Sequence, residues 1–325
     1  MRMLSKIGAA LAFAILSPAS AWATATAGAT STPPRLLSER GVLVWDPASS
    51  SQHLFVTAEI EPGEGPAGIV FTTPRVPAVE PLDDLGEAVE GLFALHRDKT
   101  DVEIAMARPS KAETTPSMRI MPAADAGSLG GWLESNDLSP HPGLVEFARD
   151  YGQRGFHYVA LHLAEAPPGE ARVLPWTAIS FRVPGPYYPL ATPRASYDQR
   201  TRLEIYTLSP ELLALTLGEH FETGSAALVT RDELATAVGE AWMSATGIEK
   251  EGPSLWLQRF EPERTAMGED GFFVRVPAPA LKTIPEGATS RSRNGKRLLV
   301  LLVGVVFSAS IAWLGSWERR PTFRR

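Results

Sequence analysis

Leu298 to Trp317 is a run of twenty residues without a charged side chain. As a helix it rises about 30 Å, the thickness of a bilayer's hydrocarbon core. Trp313 and Trp317 stand near its end, where indole rings favour the headgroup layer, and Arg319, Arg320, Arg324 and Arg325 follow. A core helix seldom runs uncharged for so long between basic flanks. The pattern therefore predicts one C-terminal transmembrane helix with limits Leu298 and Trp317. A hydrophobic stretch followed by arginines also fits a sorting signal cut after export, although the short motif that precedes such signals is not evident. Gly304, Ser308, Ala312 and Ser316 recur every four residues, a spacing that lets a second helix approach closely.

The opposite end carries a second apolar run. Arg2 and Lys6 precede ten apolar residues, Ile7 to Leu16, and Ala21-Trp22-Ala23 places small side chains three and one before a cut. This is the pattern of a signal peptide over residues 1–23, cleaved between Ala23 and Thr24. Ten helical residues rise only about 15 Å, too short for an uncleaved anchor. The flank before the terminal span holds Arg291, Arg293, Lys296 and Arg297, matching the four arginines after it. Counting basic residues therefore gives no orientation, and the signal peptide decides it. Residues 24–297 are expected outside the cytoplasm, periplasmic or extracellular, with the basic tail 318–325 inside. The chain would be a single-pass protein of the cell membrane.

Charge and cysteine content narrow the chemistry. The net charge is −6, but the basic residues crowd the two ends. Residues 24–290 hold 21 basic and 36 acidic side chains, a net charge of −15. Such a domain repels phosphate backbones, which argues against nucleic acid as a partner. The chain has no cysteine, which excludes disulfides, thiolate metal sites and a cysteine nucleophile. Stability must come from a hydrophobic core.

The exported part reads as a flexible leader over 24–35, a domain over 36–276 and a proline-containing basic tether over 277–297. Strands are predicted at Val42–Trp45, Leu54–Ile60 and Ile69–Phe71, joined as an antiparallel meander. Alternation sets Leu54, Val56, Ala58 and Ile60 on one face and His53, Phe55, Thr57 and Glu59 on the other. A helix is predicted from Asp84, with Glu87 completing a capping box and Leu85, Val89, Leu92 and Phe93 as its apolar face. A strand at Val102–Ala107 and a loop over 109–127 follow. Helices are then expected at Leu129–Ser135 and Gly143–Tyr151, the latter stopped by Gly152. Further strands read at Phe156–Leu163, Leu174–Val183 and Arg202–Leu208, with Leu203 and Ile205 inward and Arg202 and Glu204 outward. Thr230 and Glu233 form a capping box for a helix that buries Leu234, Val238, Ala241 and Trp242 and ends at Gly247. Leu255–Phe260 and Phe272–Val276 close the domain. Strands and helices in separate groups favour an α+β fold, antiparallel and β-rich, with several short helices.

No local motif announces a reaction or a cofactor. Phosphate-binding glycine loops, the G-x-S-x-G elbow and H-E-x-x-H are all missing. The histidines are His53, His96, His141, His157, His162 and His220. His157 and His162 lie five apart on a strand, which sends them to opposite faces and away from a shared metal. Asp98, Asp101 and Glu103 form an acidic cluster, read as a solvated turn rather than a calcium loop. Trp176, Tyr187, Tyr188 and Tyr197 could line a groove, but plugging the end of a sheet is the better reading.

Several segments resemble a known family. Glu39-Arg40-Gly41-Val42-Leu43-Val44-Trp45-Asp46, His53-Leu54-Phe55 and Thr73-Pro74-Arg75-Val76-Pro77 are similar to the start of an exported bacterial family, domain of unknown function 2330. Trp132-Leu133, Tyr151 to Gly155, Tyr158-Val159-Ala160-Leu161, Ile179-Ser180-Phe181 and Tyr188-Pro189-Leu190 follow in order, so the likeness spans about residues 39–210. These are strand and turn patterns rather than a catalytic signature. The resemblance implies a signal peptide, an extracytoplasmic domain and often a C-terminal membrane segment. It implies no established activity and transfers no functional residue. Many members carry cysteines just after the signal peptide, whereas this chain has none.

Together these features predict a membrane-anchored envelope protein whose domain is an interaction or structural module. Its expected partners are membrane lipid through the C-terminal helix, and an envelope protein or a second copy of itself. The alternative is an envelope hydrolase using paired carboxylates, which leave no local motif.

Overall fold

The computed structural model describes residues 24–81, 86–100, 116–122, 126–163, 165–189, 201–217, 220–222, 224–262 and 271–276. The described residues open on strand β1 (Thr24–Gly28), whose five residues are all buried. Over residues 24–28 the expected leader is corrected to a strand: the Thr-Ala alternation reads as low complexity, yet it suits a tightly covered edge strand. Small side chains let a helix approach, and the Thr26 hydroxyl donates to the Pro34 carbonyl at 2.6 Å.

Strands β2 (Leu36–Asp46) and β3 (Ser51–Ile60) form the predicted hairpin, each longer than local alternation suggested. Its turn is held by Asp46, whose carboxylate accepts from the amides of Ala48 and Ser49 at 2.9 and 3.1 Å. Strand β4 (Ala67–Thr73) does not extend this meander. It leaves for a second sheet and pairs antiparallel with β1, Thr24 opposite Phe71. Strand β5 (Ala78–Pro81) returns to the edge of the first sheet, and helix α1 (Gly86–Thr100) follows. Strand β6 (Ser117–Pro122) corrects the loop expected over 109–127. Asp84, Leu85 and the strand predicted at Val102–Ala107 lie outside the described residues.

Helices α2 (Ala126–Ser135) and α3 (Pro142–Gln153) occupy the expected positions. His141 caps α3, its Nδ1 accepting from the Leu144 amide at 3.2 Å, and Pro142 fills the first turn where no N–H is needed. The helix runs through Gly152. Its stop is Gly155, at φ 70°, because the left-handed position falls after the Arg154 cap.

The remaining strands are β7 (His157–Leu163), β8 (Arg172–Arg182), β9 (Tyr187–Tyr188), β10 (Arg202–Ser209), β11 (Leu213–Leu217), β12 (His220–Glu222), β13 (Ser225–Val229), β14 (Leu255–Phe260) and β15 (Gly271–Arg275), with helix α4 (Arg231–Ala245) before β14. The capping box that opens α4 is present: Thr230 Oγ1 accepts from the Glu233 amide at 3.2 Å while Glu233 Oε2 accepts from the Thr230 amide at 2.9 Å. Gly239 interrupts the helix at φ 80° and ψ 158°. That break resets the helical phase, so Met243 is buried and Ala241 is exposed, contrary to the uninterrupted periodicity.

Three sheets result among the described residues. The largest has the order β13-β14-β10-β2-β3-β8-β5, the second β1-β4-β7-β6 and the third β12-β11-β15-β9. Pairing is antiparallel except at the centre of the large sheet, where β10 runs parallel to β2 with Arg202 opposite Ser38 and Leu208 opposite Val44. The domain is thus α+β and β-rich, but its main sheet is mixed rather than wholly antiparallel.

Both faces of that sheet are covered. On one, Val42, Val44, Phe55, Tyr206 and Leu208 pack under Val89, Leu92 and Phe93 of α1 and Leu234, Val238 and Trp242 of α4. On the other, Leu43, Leu54, Val56 and Ile60 meet Ile69, Phe71, Val159 and Leu161 of the second sheet, with Tyr187, Tyr188, Leu213 and Leu215 of the third. Helices α2 and α3 then cover the outer face of the second sheet through Leu129, Trp132, Leu144, Phe147 and Tyr151. The layers run helix, sheet, sheet, helix. Each large side chain buried in them contributes about 1.5–3 kcal/mol. Among the described residues no helix is long and apolar enough to cross a membrane. Ala23, Leu298 and Trp317 lie outside them.

Candidate functional site

Strand register assembles the charged centre of the domain. Parallel pairing sets Glu204 on β10 directly beside Arg40 on β2, and antiparallel pairing sets Tyr206 beside Arg259 on β14. All four point to the helix-covered face. Glu204 is fully buried, correcting its expected outward placement, because the face opposite Ile205 lies beneath α1 rather than in water. Its carboxylate accepts from Arg40 Nε at 3.1 Å, Arg259 Nε at 2.5 Å and the Tyr206 hydroxyl at 3.1 Å. Arg40 also donates to Glu90 of α1 at 3.2 Å and lies 4.2 Å from the centre of the Phe93 ring. Arg259 reaches Glu261 with its other arm. His96 completes the cluster, its Nε2 3.1 Å from the Ser225 carbonyl and its ring edge-on to Tyr206. Burial holds its imidazole below the ordinary range, so it is neutral at pH 7. Each buried carboxylate here is matched to a guanidinium, which fits alignment of β2, β10 and β14 under α1 rather than proton transfer.

A second carboxyl faces the opposite way. Glu39, 3% exposed, accepts from the Tyr188 hydroxyl at 2.9 Å. Burial pushes its pKa up to about 8, and the tyrosine bond offsets only part of that rise. Gly41 makes the contact possible, since a Cβ there would stand 2.2 Å from the Tyr188 hydroxyl.

An open concave feature among the described residues is of another kind. Between α2 and α3 lies a groove of about 280 Å³ lined by Leu129, Leu133, Pro140, Leu144, Val145 and Ala148, with Arg149 at its rim. Val145 is 47% exposed there. Gly130 and Gly131 leave the adjoining surface of α2 bare, with no neighbouring atom near where a Cβ would stand. No carboxylate lines the groove. It suits an apolar contact better than bond chemistry.

The residues singled out from the sequence are dispersed. Trp176 packs on the helix side, 6.0 Å from Phe93, while Tyr187 and Tyr188 fill the seam between sheets. These three plug the core and line no common groove, and Tyr197 lies outside the described residues. His157 and His162 are both half-buried on β7. Asp98 is exposed on α1, 3.7 Å from Arg97, while Asp101 and Glu103 lie outside the described residues. Among the described residues no group of three metal-ligating side chains comes together. Thr24 opens β1, where its hydroxyl donates to the Pro189 carbonyl at 3.1 Å. The Arg40–Glu204–Arg259 cluster and the Glu39 pair were not anticipated. Their signal was two adjacent charges, Glu39-Arg40, inside a strand otherwise apolar from Gly41 to Trp45.

No protein-family model and no curated protein matches the chain. Among solved structures it is similar to baculovirus P35, at 9% sequence identity and a TM-score of 0.36, over 74% of this chain and 91% of that one.

Proposed function

We propose that this chain is a membrane-anchored protein of the bacterial envelope whose domain serves as an interaction module. Export by residues 1–23, anchoring by Leu298–Trp317 and kinship with domain of unknown function 2330 belong to the same proposal. The observation that carries the interaction role is the α2–α3 groove, which is open, apolar and bordered by one cation. It fits a partner segment that presents apolar side chains beside an acidic residue. The rival role, a carboxylate-dependent hydrolase, needs two convergent carboxylates in an open pocket. Glu204 and Glu90 instead meet arginine, and Glu39 faces the core.

The lack of cysteine supplies a direct test, because any introduced thiol is unique. Val145→Cys marks the groove, and Val76→Cys, at a site 67% exposed, is the reference. A thiol reagent that cannot cross the cytoplasmic membrane is expected to label both in cells with that membrane intact. Cys at 145 is expected to react more slowly, relative to 76, in cells than in the purified protein. Labelling only after lysis would overturn the placement, and an unchanged ratio would overturn the interaction role.

A further inference from the structure

The short segment Tyr187–Pro189 is fastened to four strands of two sheets. Gln52 of β3 holds it twice, donating from Nε2 to the Tyr187 carbonyl at 2.6 Å and accepting at Oε1 from the Tyr187 amide at 2.8 Å. The Tyr187 hydroxyl lies 3.4 Å from Thr72 Oγ1 of β4, and Thr24 of β1 donates to the Pro189 carbonyl. The Tyr188 hydroxyl donates to Glu39 of β2. Amide and hydroxyl fasteners keep their state across ordinary pH. Tyr188 does too, since burial raises its hydroxyl well above the usual range. Glu39 is the fastener that can change charge.

Among the described residues, the surroundings of Glu39 offer nothing to balance a negative charge. On β3 its register partner is Ala58 and on β10 it is Leu203. From the third sheet, Leu213 and Leu215 of β11 and Phe273 of β15 face the same seam. Its neighbours Arg40 and Glu204 meet each other on the far side of the sheet. Among the described residues, Tyr188 is the titratable group that touches it, and it is neutral. A carboxylate in such a place is strongly disfavoured, whereas a carboxylic acid is tolerated.

We propose that Glu39 and Tyr188 form a proton-operated latch on the strap Tyr187–Pro189, shut while the Glu39 carboxyl keeps its proton and opened by release of that proton to water. Opening frees β9 from β15, where Tyr188 pairs with Gly271 and Tyr187 with Phe272, and uncovers the seam beside Gly41. The direction follows from proton linkage. The shut state binds the proton up to about pH 8, whereas the open state releases it near the ordinary carboxyl value of 4.5. The opening constant therefore rises about tenfold per pH unit between those limits and levels off above them. The latch is a property of the fold and does not depend on the envelope reading.

Hydrogen exchange of peptides spanning residues 184–189 tests it, on the full-length chain in detergent from pH 5 to 9.5. Rates are corrected for the intrinsic effect of pH and referred to a peptide within α4. Protection of β9 is expected to fall by about tenfold per unit and to level off near pH 8. Glu39→Gln keeps the size and the hydrogen-bond acceptor but cannot ionise, so its corrected protection is expected to stay flat. A sloping profile in that variant, or a flat one in the natural chain, would overturn the latch. Should the variant fail to fold, Tyr188→Phe answers separately. Losing the hydroxyl removes the bond that favours the charged carboxyl, so levelling-off should move to higher pH. A position that stays or moves lower would overturn the latch.

Discussion

Replacing Glu204 by glutamine removes one negative charge between two arginines without changing the volume of the side chain. The carboxylate is fully buried, and Arg40 and Arg259 are 2% and 5% exposed, so water cannot take its place. Unit charges about 3 Å apart attract by roughly 5 kcal/mol at an effective dielectric of 20. Part of this is retained, because Arg40 keeps Glu90 and Arg259 keeps Glu261. Breaking a buried pair by removing one partner costs about 3–5 kcal/mol, and the remaining anions place E204Q toward the lower end. With a urea slope of ~1–3 kcal/mol/M, a loss of about 3 kcal/mol should lower the unfolding midpoint by roughly 1–3 M. The buried Trp45 and Trp242 provide the fluorescence signal. Exchanging the whole cluster gives the contrast. In R40M/E204L/R259M no arginine is left unpaired, and Glu90 and Glu261 are 12% and 51% exposed and can turn to water. The triple variant should recover most of the loss. An E204Q midpoint within about 0.3 M of the natural chain would refute the assignment of Glu204 as the clamp.

Two further substitutions probe the helices. Gly91→Ala would place a Cβ 2.0 Å from the Ala237 carbonyl oxygen, where α1 crosses α4; backbone cannot yield as a side chain does, so a loss of about 1–3 kcal/mol and a lower Tm are expected by calorimetry. Thr230→Ala removes the cap of α4 and should cost about 1 kcal/mol, or roughly 2–4 °C in Tm, with Thr230→Ser recovering most of it.

The sequence showed the domain's strands more clearly than their partners. Leu54, Val56 and Ile60 alternate cleanly with Phe55, and both sets face apolar layers as alternation requires. Alternation separates two faces but does not say what covers each. Glu204 was therefore set outward, although α1 lies above it. β1 escaped notice because threonine and alanine are as common in loops as in tightly covered strands. The parallel match of β10 to β2 joins Arg40 and Glu204 across 164 residues, and no local pattern encodes such a distant register. Helix caps were legible where they depend on neighbours, as at Thr230 and Glu233, and illegible where Gly239 breaks the helical phase. The groove residues were legible as the surfaces of two helices. Their convergence depends on how α2 and α3 settle over β1 and β7.

The pairing of β10 with β2 also orders assembly in time. A chain made or threaded from its amino end can join β2, β3, β8 and β5, but the remaining edge of β2 stays bare until residues 202–209 arrive. Three of the seven strands of the large sheet must therefore wait, and Arg40 lacks Glu204 until they arrive. Truncations ending before Arg202 should associate through that edge instead of folding. Completion is thus a late event, tied to a distant stretch of chain rather than to any neighbouring turn.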